Sequence, residues 1–130
     1  RYTLLDQSAL ADLLPLALER GVGVVAAGVY NSGLLGSDEV PNDAHYEYQA
    51  APPELVARAR QIAEVCRRHG ATLPQAAVQF PLRHPAVVSA VVGARDAAQA
   101  AGSLARYDAE IPAALWDELE DAGYLMPVLT

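Results

Sequence analysis

The apolar run Val22 to Ala27, opened by Gly21 and followed by Gly28-Val-Tyr-Asn-Ser-Gly-Leu-Leu, constrains this chain more than any other stretch. It is short, rich in β-branched residues and unbroken by a polar position. That is the pattern of a strand buried on both faces, as in a parallel sheet covered by helices. Gly28, Asn31, Ser32 and Gly33 come directly after it, and these residue types let a chain turn while exposing backbone N–H groups. In α/β proteins the loops at the carboxyl ends of parallel strands bind the ligands. The segment therefore reads as a strand leading into a ligand loop.

A chain of 130 residues has the size of one domain, and 52% hydrophobic residues suffice for a core. No apolar stretch approaches the length of a membrane span, and the start shows no basic region followed by an apolar one. A soluble, cytoplasmic protein with no membrane partner is expected. The lone Cys66 excludes an internal disulfide framework and a cysteine metal cluster. A formal charge of -7 argues against a nucleic-acid partner, although one local basic residue can still hold a phosphate. Because the chain opens at Arg1 without a Met, the back part of something longer is expected.

Tyr2 to Leu5 is another short strand candidate. Ser8 then serves as the N-cap of a helix with Leu10, Leu13, Leu14 and Ala17 on its apolar stripe and Gly21 at its end. Pro15 interrupts this pattern, so the helix either kinks there or starts nearer Asp12. Between Gly28 and Pro53 no periodicity survives. This stretch, with Pro41, Asn42, Asp43, Tyr46 and Tyr48, reads as a lid or specificity loop or as a disordered insertion.

From Glu54 the helix signal is strong. Leu55, Ala59, Ile62 and Cys66 form one stripe, Pro53 suits the first position and Gly70 the stop. Arg58, Arg60, Arg67 and Arg68 lie largely off the stripe and read as a solvated face. Thr72 and Gln75 make a capping-box pair for a short helix carrying Ala76, Ala77 and Phe80, closed by Pro81 and Pro85. Val87 to Val92 is a further buried strand. Asp96 and Gln99 cap a helix reaching about Ser103, and a last helix starts near Pro112 with Leu115, Trp116, Leu119 and Ala122 inward. Alternating strands and helices imply a parallel α/β architecture. Three such strands are too few to close a barrel and make a marginal open sheet.

Arg1-Tyr-Thr-Leu-Leu-Asp-Gln, Gly28-Val-Tyr-Asn-Ser-Gly-Leu-Leu, Gln79-Phe-Pro-Leu-Arg-His-Pro, Val91-Val-Gly-Ala-Arg and Ala114-Leu-Trp-Asp-Glu-Leu resemble the aldo-keto reductases. Within that family they are most similar to the D-threo-aldose 1-dehydrogenases, a subgroup that includes L-fucose dehydrogenase and pyridoxal dehydrogenases. The resemblance runs in order over essentially the whole chain. It implies the carboxyl-terminal portion of a (β/α)8 TIM barrel: three β/α units plus a terminal helix, with residues 1–130 carrying strands six to eight and the amino-terminal half absent. The family's catalytic Asp, Tyr, Lys and His belong to that absent half, so no catalytic residue is assigned here. Tyr30, Tyr46 and His45 do not stand at matching positions.

The resemblance also implies a nicotinamide cofactor, NAD or NADP. Gly28, Val29, Tyr30, Asn31, Ser32 and Gly33 match the loop along its pyrophosphate. Glycines there allow close backbone approach, and exposed N–H groups donate to phosphate oxygens. The second matching segment is Gly93, Ala94, Arg95, Gln99 and Ser103, where a helix N-terminus offers free N–H groups to an anion. Members that grip the 2′-phosphate of NADP carry Lys, Ser and Arg where this chain has Gly93, Ala94 and Gln99, and Arg95 remains as a charged partner. The family's adenine-contacting Glu-Asn appears as Gly102-Ser103. The balance falls towards NAD or dual use. Gln99 has an equal structural reading, as the capping partner of Asp96.

Structural roles are expected for the other marked residues. His84 reads as a loop or capping histidine, His69 as a cation at a helix C-terminus, and Cys66 and Trp116 as core. No residue set has zinc-ligand spacing. The function expected is a part of an NAD(P)-dependent oxidoreductase that oxidises a sugar at its hemiacetal carbon or reduces an aldehyde, with this segment supplying cofactor binding. The isolated chain is expected to be inactive and to self-associate through open strand edges. The alternatives are a non-catalytic nucleotide-binding or regulatory module on the same scaffold, and an independent small α/β protein.

Overall fold

The computed structural model describes residues 1–41, 43–46 and 49–128. Asn42 and Tyr48, read above as part of the long loop, lie outside these.

Asp12, not Ser8, caps the first helix, α1 (Leu13–Glu19), by accepting from the Leu13 N–H at 2.6 Å. Ser8 instead opens a separate 3-10 turn, Ser8–Leu10. Pro15 then falls in the first turn of α1, where an N–H has no intrahelical partner to lose, so no kink is needed. Gly21, at φ +67, ends the helix: its N–H reaches Leu18 O at 3.2 Å and the Val22 N–H reaches Ala17 O at 2.8 Å. The chain then enters β1 (Val24–Ala27).

Helix α2 (Pro53–Arg68) starts on Pro53, and Gly70 follows its C-cap His69 with φ +73. The Thr72–Gln75 capping box is present in both directions and opens α3 (Leu73–Gln79). A 3-10 turn, Phe80–Arg83, leads to β4 (Val87–Val91), then α4 (Ala97–Asp108) and α5 (Ala113–Asp121). Helix α4 runs beyond Ser103, because nothing between Leu104 and Asp108 breaks a helix.

β1 and β4 pair in parallel, with Val25 opposite Ser89, Ala26 opposite Ala90 and Ala27 opposite Val91. Gly23 sits tightly beside this pair; a Cβ there would come within 3.1 Å of the Val88 methyls. The segment Tyr2–Leu5, expected as a strand, makes no ladder. The Thr3 hydroxyl accepts from Leu5 and Asp6 N–H groups at 3.2 and 3.0 Å, and Thr3 and Asp6 exchange backbone bonds, so the chain turns there.

The expectation that both strands are buried on two faces is also corrected. Ala26 is buried against the helices, whereas Val25 and Val91 are 55% and 56% exposed on the other face. Two strands cannot curl over their own second face, which in a closed barrel is the packed interior. The core lies on the helical side, where Leu34, Leu35, Ile62, Leu73, Phe80, Leu115 and Leu119 are fully buried, and the Tyr2 and Phe80 rings pack 4.7 Å apart.

The stretch without periodicity is anchored and partly regular. A short antiparallel pair, β2 (His45–Tyr46) with β3 (Gln49–Ala50), lies in its second half. The Asp38 carboxylate accepts from the Leu73 N–H at 3.1 Å, and Arg60 donates to Val40 O at 2.9 Å. Arg58 likewise donates to Tyr124 O at 2.9 Å. Two of the arginines read as a solvated face therefore tie distant loops to α2.

Candidate nucleotide-binding site

Since Ala27 pairs with Val91, the segments that follow β1 and β4 leave the same, carboxyl end of the sheet as neighbours. The loop after β1 is built from left-handed backbone: Gly28 at φ +67, Asn31 at +50, Ser32 at +59 and Gly33 at +91. Asn tolerates this region better than most residues, while Ser32 is held there at a cost of about 1–3 kcal/mol. Local bonds keep the shape: Asn31 N–H to Gly28 O at 3.1 Å, Leu34 N–H to Asn31 O at 3.2 Å, and Leu35 N–H to Tyr30 O at 2.9 Å. Leu34 and Leu35 anchor the loop in the core.

Gly28, Asn31 and Ser32 line a cavity of about 530 Å³ together with Arg1 and His45. Asn31 is 2% exposed, and neither its Oδ1 nor its Nδ2 has a hydrogen-bond partner. A buried amide left unsatisfied costs about 1–3 kcal/mol and marks a place where a structure departs from ordinary satisfaction of polar groups. Gly33 is exposed in the turn. Val29 is buried in the core, so only its backbone is available to a ligand. The half-buried Tyr30 side chain points to α4, where its hydroxyl accepts from Arg106 at 3.0 Å.

The second predicted segment is arranged differently. Gly93, Ala94, Arg95 and Gln99 are all exposed and line none of the cavities described here. Asp96 accepts from the Gln99 N–H at 2.8 Å, and the Gln99 Oε1 accepts from the Arg95 N–H at 2.8 Å. The structural reading of Gln99 is thus realised, with the reciprocal bond displaced by one residue. Ser103 faces a separate groove of about 370 Å³ between α4 and β4, beside Val88, Leu104 and Tyr107.

Arg1, His45 and Arg106 are the residues that sequence reasoning did not assign to the site. No spacing rule joins them to Asn31, because each arrives from a different segment of the fold. The groups with displaced ionisation lie elsewhere. Burial pushes the Cys66 thiol up to about 12 and Tyr2 above its ordinary value, and it lowers His84. A hydrogen bond from the Ser8 hydroxyl lowers Asp6. His84 is a buried loop histidine whose Nδ1 accepts from the Ala86 N–H at 3.0 Å. Trp116 is buried, with the Arg83 guanidinium 4.6 Å above its ring. His69 stands at the end of α2, 3.7 Å from Glu118. Among the described residues no group of three or more His, Cys, Asp or Glu could hold a metal ion, and no helix is long and apolar enough to cross a membrane.

The family model of the aldo/keto reductase family matches residues 1–123. The chain is 48% identical over 122 residues to D-threo-aldose 1-dehydrogenase of a Pseudomonas species, covering 94% of this chain and 37% of that protein. It is 38% identical to pyridoxal 4-dehydrogenase of Microbacterium luteolum over 96% of this chain and 36% of that one. The chain therefore spans little more than a third of the length of these relatives. Among solved structures, the glycerol dehydrogenase of Gluconobacter oxydans superposes with a TM-score of 0.72 at 20% identity, over 91% of this chain and 39% of that chain. The holo form of an aldo-keto reductase from Bacillus halodurans gives 0.62 at 24% identity, over 88% and 37%. These likenesses identify the architecture as part of a (β/α)8 barrel. The chain belongs to the aldo/keto reductase family of oxidoreductases.

Proposed function

We propose that this chain is the cofactor-holding part, the segments corresponding to strands six to eight with their helices, of an NAD(P)-dependent oxidoreductase acting on an aldose or an aldehyde. The observation that carries the reading is Asn31: a residue of the cavity wall at the carboxyl end of β1, with a buried, unpartnered amide, inside a loop of left-handed backbone. The donor set fits a pyrophosphate. Gly28 and Gly33 permit close approach, the backbone N–H groups of the loop not used in its internal bonds are the donors on offer, and Arg1 brings positive charge to the cavity wall. Similarity to D-threo-aldose 1-dehydrogenase supports a sugar or another small carbonyl compound as the substrate.

When bound, the nicotinamide supplies the hydride-accepting or hydride-donating carbon. This chain's residues bind and orient. The 28–33 loop receives the phosphates, and the anchored stretch from Ser37 to Ala51, with His45 on the cavity wall, borders the space left for substrate. Arg95, exposed before α4, is the cation available to a 2′-phosphate; with Gln99 engaged in capping, NAD or dual use is favoured over strict NADP. Proton transfer falls to residues outside this chain, which on its own is inactive.

The test is a titration of NAD and NADP against the complete gene product, alongside Asn31→Gly, which preserves the left-handed backbone, and Arg95→Ala. Asn31→Gly should weaken both cofactors about tenfold, the worth of one hydrogen bond to a charged group. Arg95→Ala should weaken NADP selectively. A complete protein that binds neither cofactor refutes the reading.

A further inference from the structure

The loop that carries Asn31 is bound to α4 by the Arg106 guanidinium. Arg106, in the last turn of α4, donates to the Tyr30 hydroxyl at 3.0 Å, lies 5.4 Å from the centre of that ring, and reaches Gly36 O at 3.5 Å. It therefore grips both ends of the segment whose middle, Asn31-Ser32-Gly33, is held at positive φ. The grip is itself braced. The Gln79 side-chain amide donates to Arg106 O and to Ala109 O, each at 2.8 Å, which fixes the end of α4 to the end of α3. A run of left-handed residues persists only where the surroundings over-determine it.

We propose that Arg106 is a positioning residue: with Tyr30 it clasps the 30–36 segment to α4 and thereby holds Asn31 in the cavity wall. This rests on the reading of that cavity as a cofactor site. The clasp also links the loop after β1 to the helix that follows β4, so the two segments predicted to hold the cofactor are joined through side chains.

The experiment combines hydrogen exchange at the loop with cofactor titration, both on the complete gene product. Arg106→Met removes the grip and keeps an apolar stem. It should speed exchange at the Leu35 and Gly36 amides about tenfold or more while α2 amides are unmoved, and it should weaken NAD and NADP by the same factor, about tenfold. Tyr30→Phe keeps the ring under the guanidinium and removes the acceptor, and should give a smaller change in the same direction. Arg106→Lys keeps the cation over the ring and should restore part of both. If Arg106→Met does not fold, Tyr30→Phe and Arg106→Lys carry the same test. Unchanged loop exchange overturns the clasp, and faster exchange with unchanged cofactor affinity overturns the positioning role. A wild-type protein that binds neither cofactor removes the site reading instead, and the exchange measurement then still decides whether Arg106 holds the loop.

Discussion

Ala27 and Val91 face each other across the parallel ladder of β1 and β4. This one register brings two loops to the same end of the sheet, although more than sixty residues (roughly, by position) of chain separate them. It also aligns Val25 with Ser89 on a face that no helix covers. Loop placement and open face thus have the same origin.

The glycines of the two loops should respond differently to a methyl group. Gly28 has φ +67 and Gly93 does not have a positive φ, while neither has an atom within 4 Å of a built Cβ. Gly28→Ala should therefore destabilise by about 1–2 kcal/mol through backbone strain alone. Gly93→Ala should be near neutral. Urea unfolding of both variants, compared at equal slope, checks the contrast.

The exposed face should drive association of the isolated 130-residue chain. Val25 and Val91 are more than half exposed, and the strand edges are unpaired among the described residues. Sedimentation should show self-associating species, and Val25→Lys with Val91→Lys should shift them towards monomer. A wild-type chain that sediments as a monomer at all concentrations contradicts this.

His84 should make stability fall with acid. Burial lowers its folded pKa below the ordinary 6.5, and its Nδ1 must stay unprotonated to accept from Ala86. The unfolded chain therefore takes up a proton first as pH drops. The contribution is full above 6.5 and is lost as pH falls from there towards the folded value. Asp6 acts in a lower window, below 3.8. Melting temperatures between pH 8 and 5 should decline in the wild type and flatten in His84→Asn, whose carbonyl can still accept a hydrogen bond.

Cys66 should be inert while the chain is folded. It has no exposed surface, and burial raises its thiol to about 12, so almost no thiolate exists at neutral pH. Alkylation should follow global unfolding, rising with denaturant in step with the loss of helix signal. Fast labelling of the native chain would show a local opening of α2.

What the sequence determined by itself are the features with local causes. Thr72 and Gln75 open a helix because their side chains satisfy each other's backbone; Pro53 and Gly70 bound another because one lacks an N–H and the other accepts positive φ. The turn-forming residues after β1 and the family resemblance were legible in the same way. The sequence misled where a local competitor won, as the Thr3 hydroxyl turned an apolar segment away from a ladder; at the first helix Pro15 had already marked the later start that the Asp12 cap provides. Only the tertiary structure decided the rest. Tyr30 is engaged by Arg106, which arrives from the end of α4, and Asn31 meets Arg1 and His45 at one cavity although each comes from a different segment. Such meetings depend on where distant elements pack, and spacing along a chain carries no record of that.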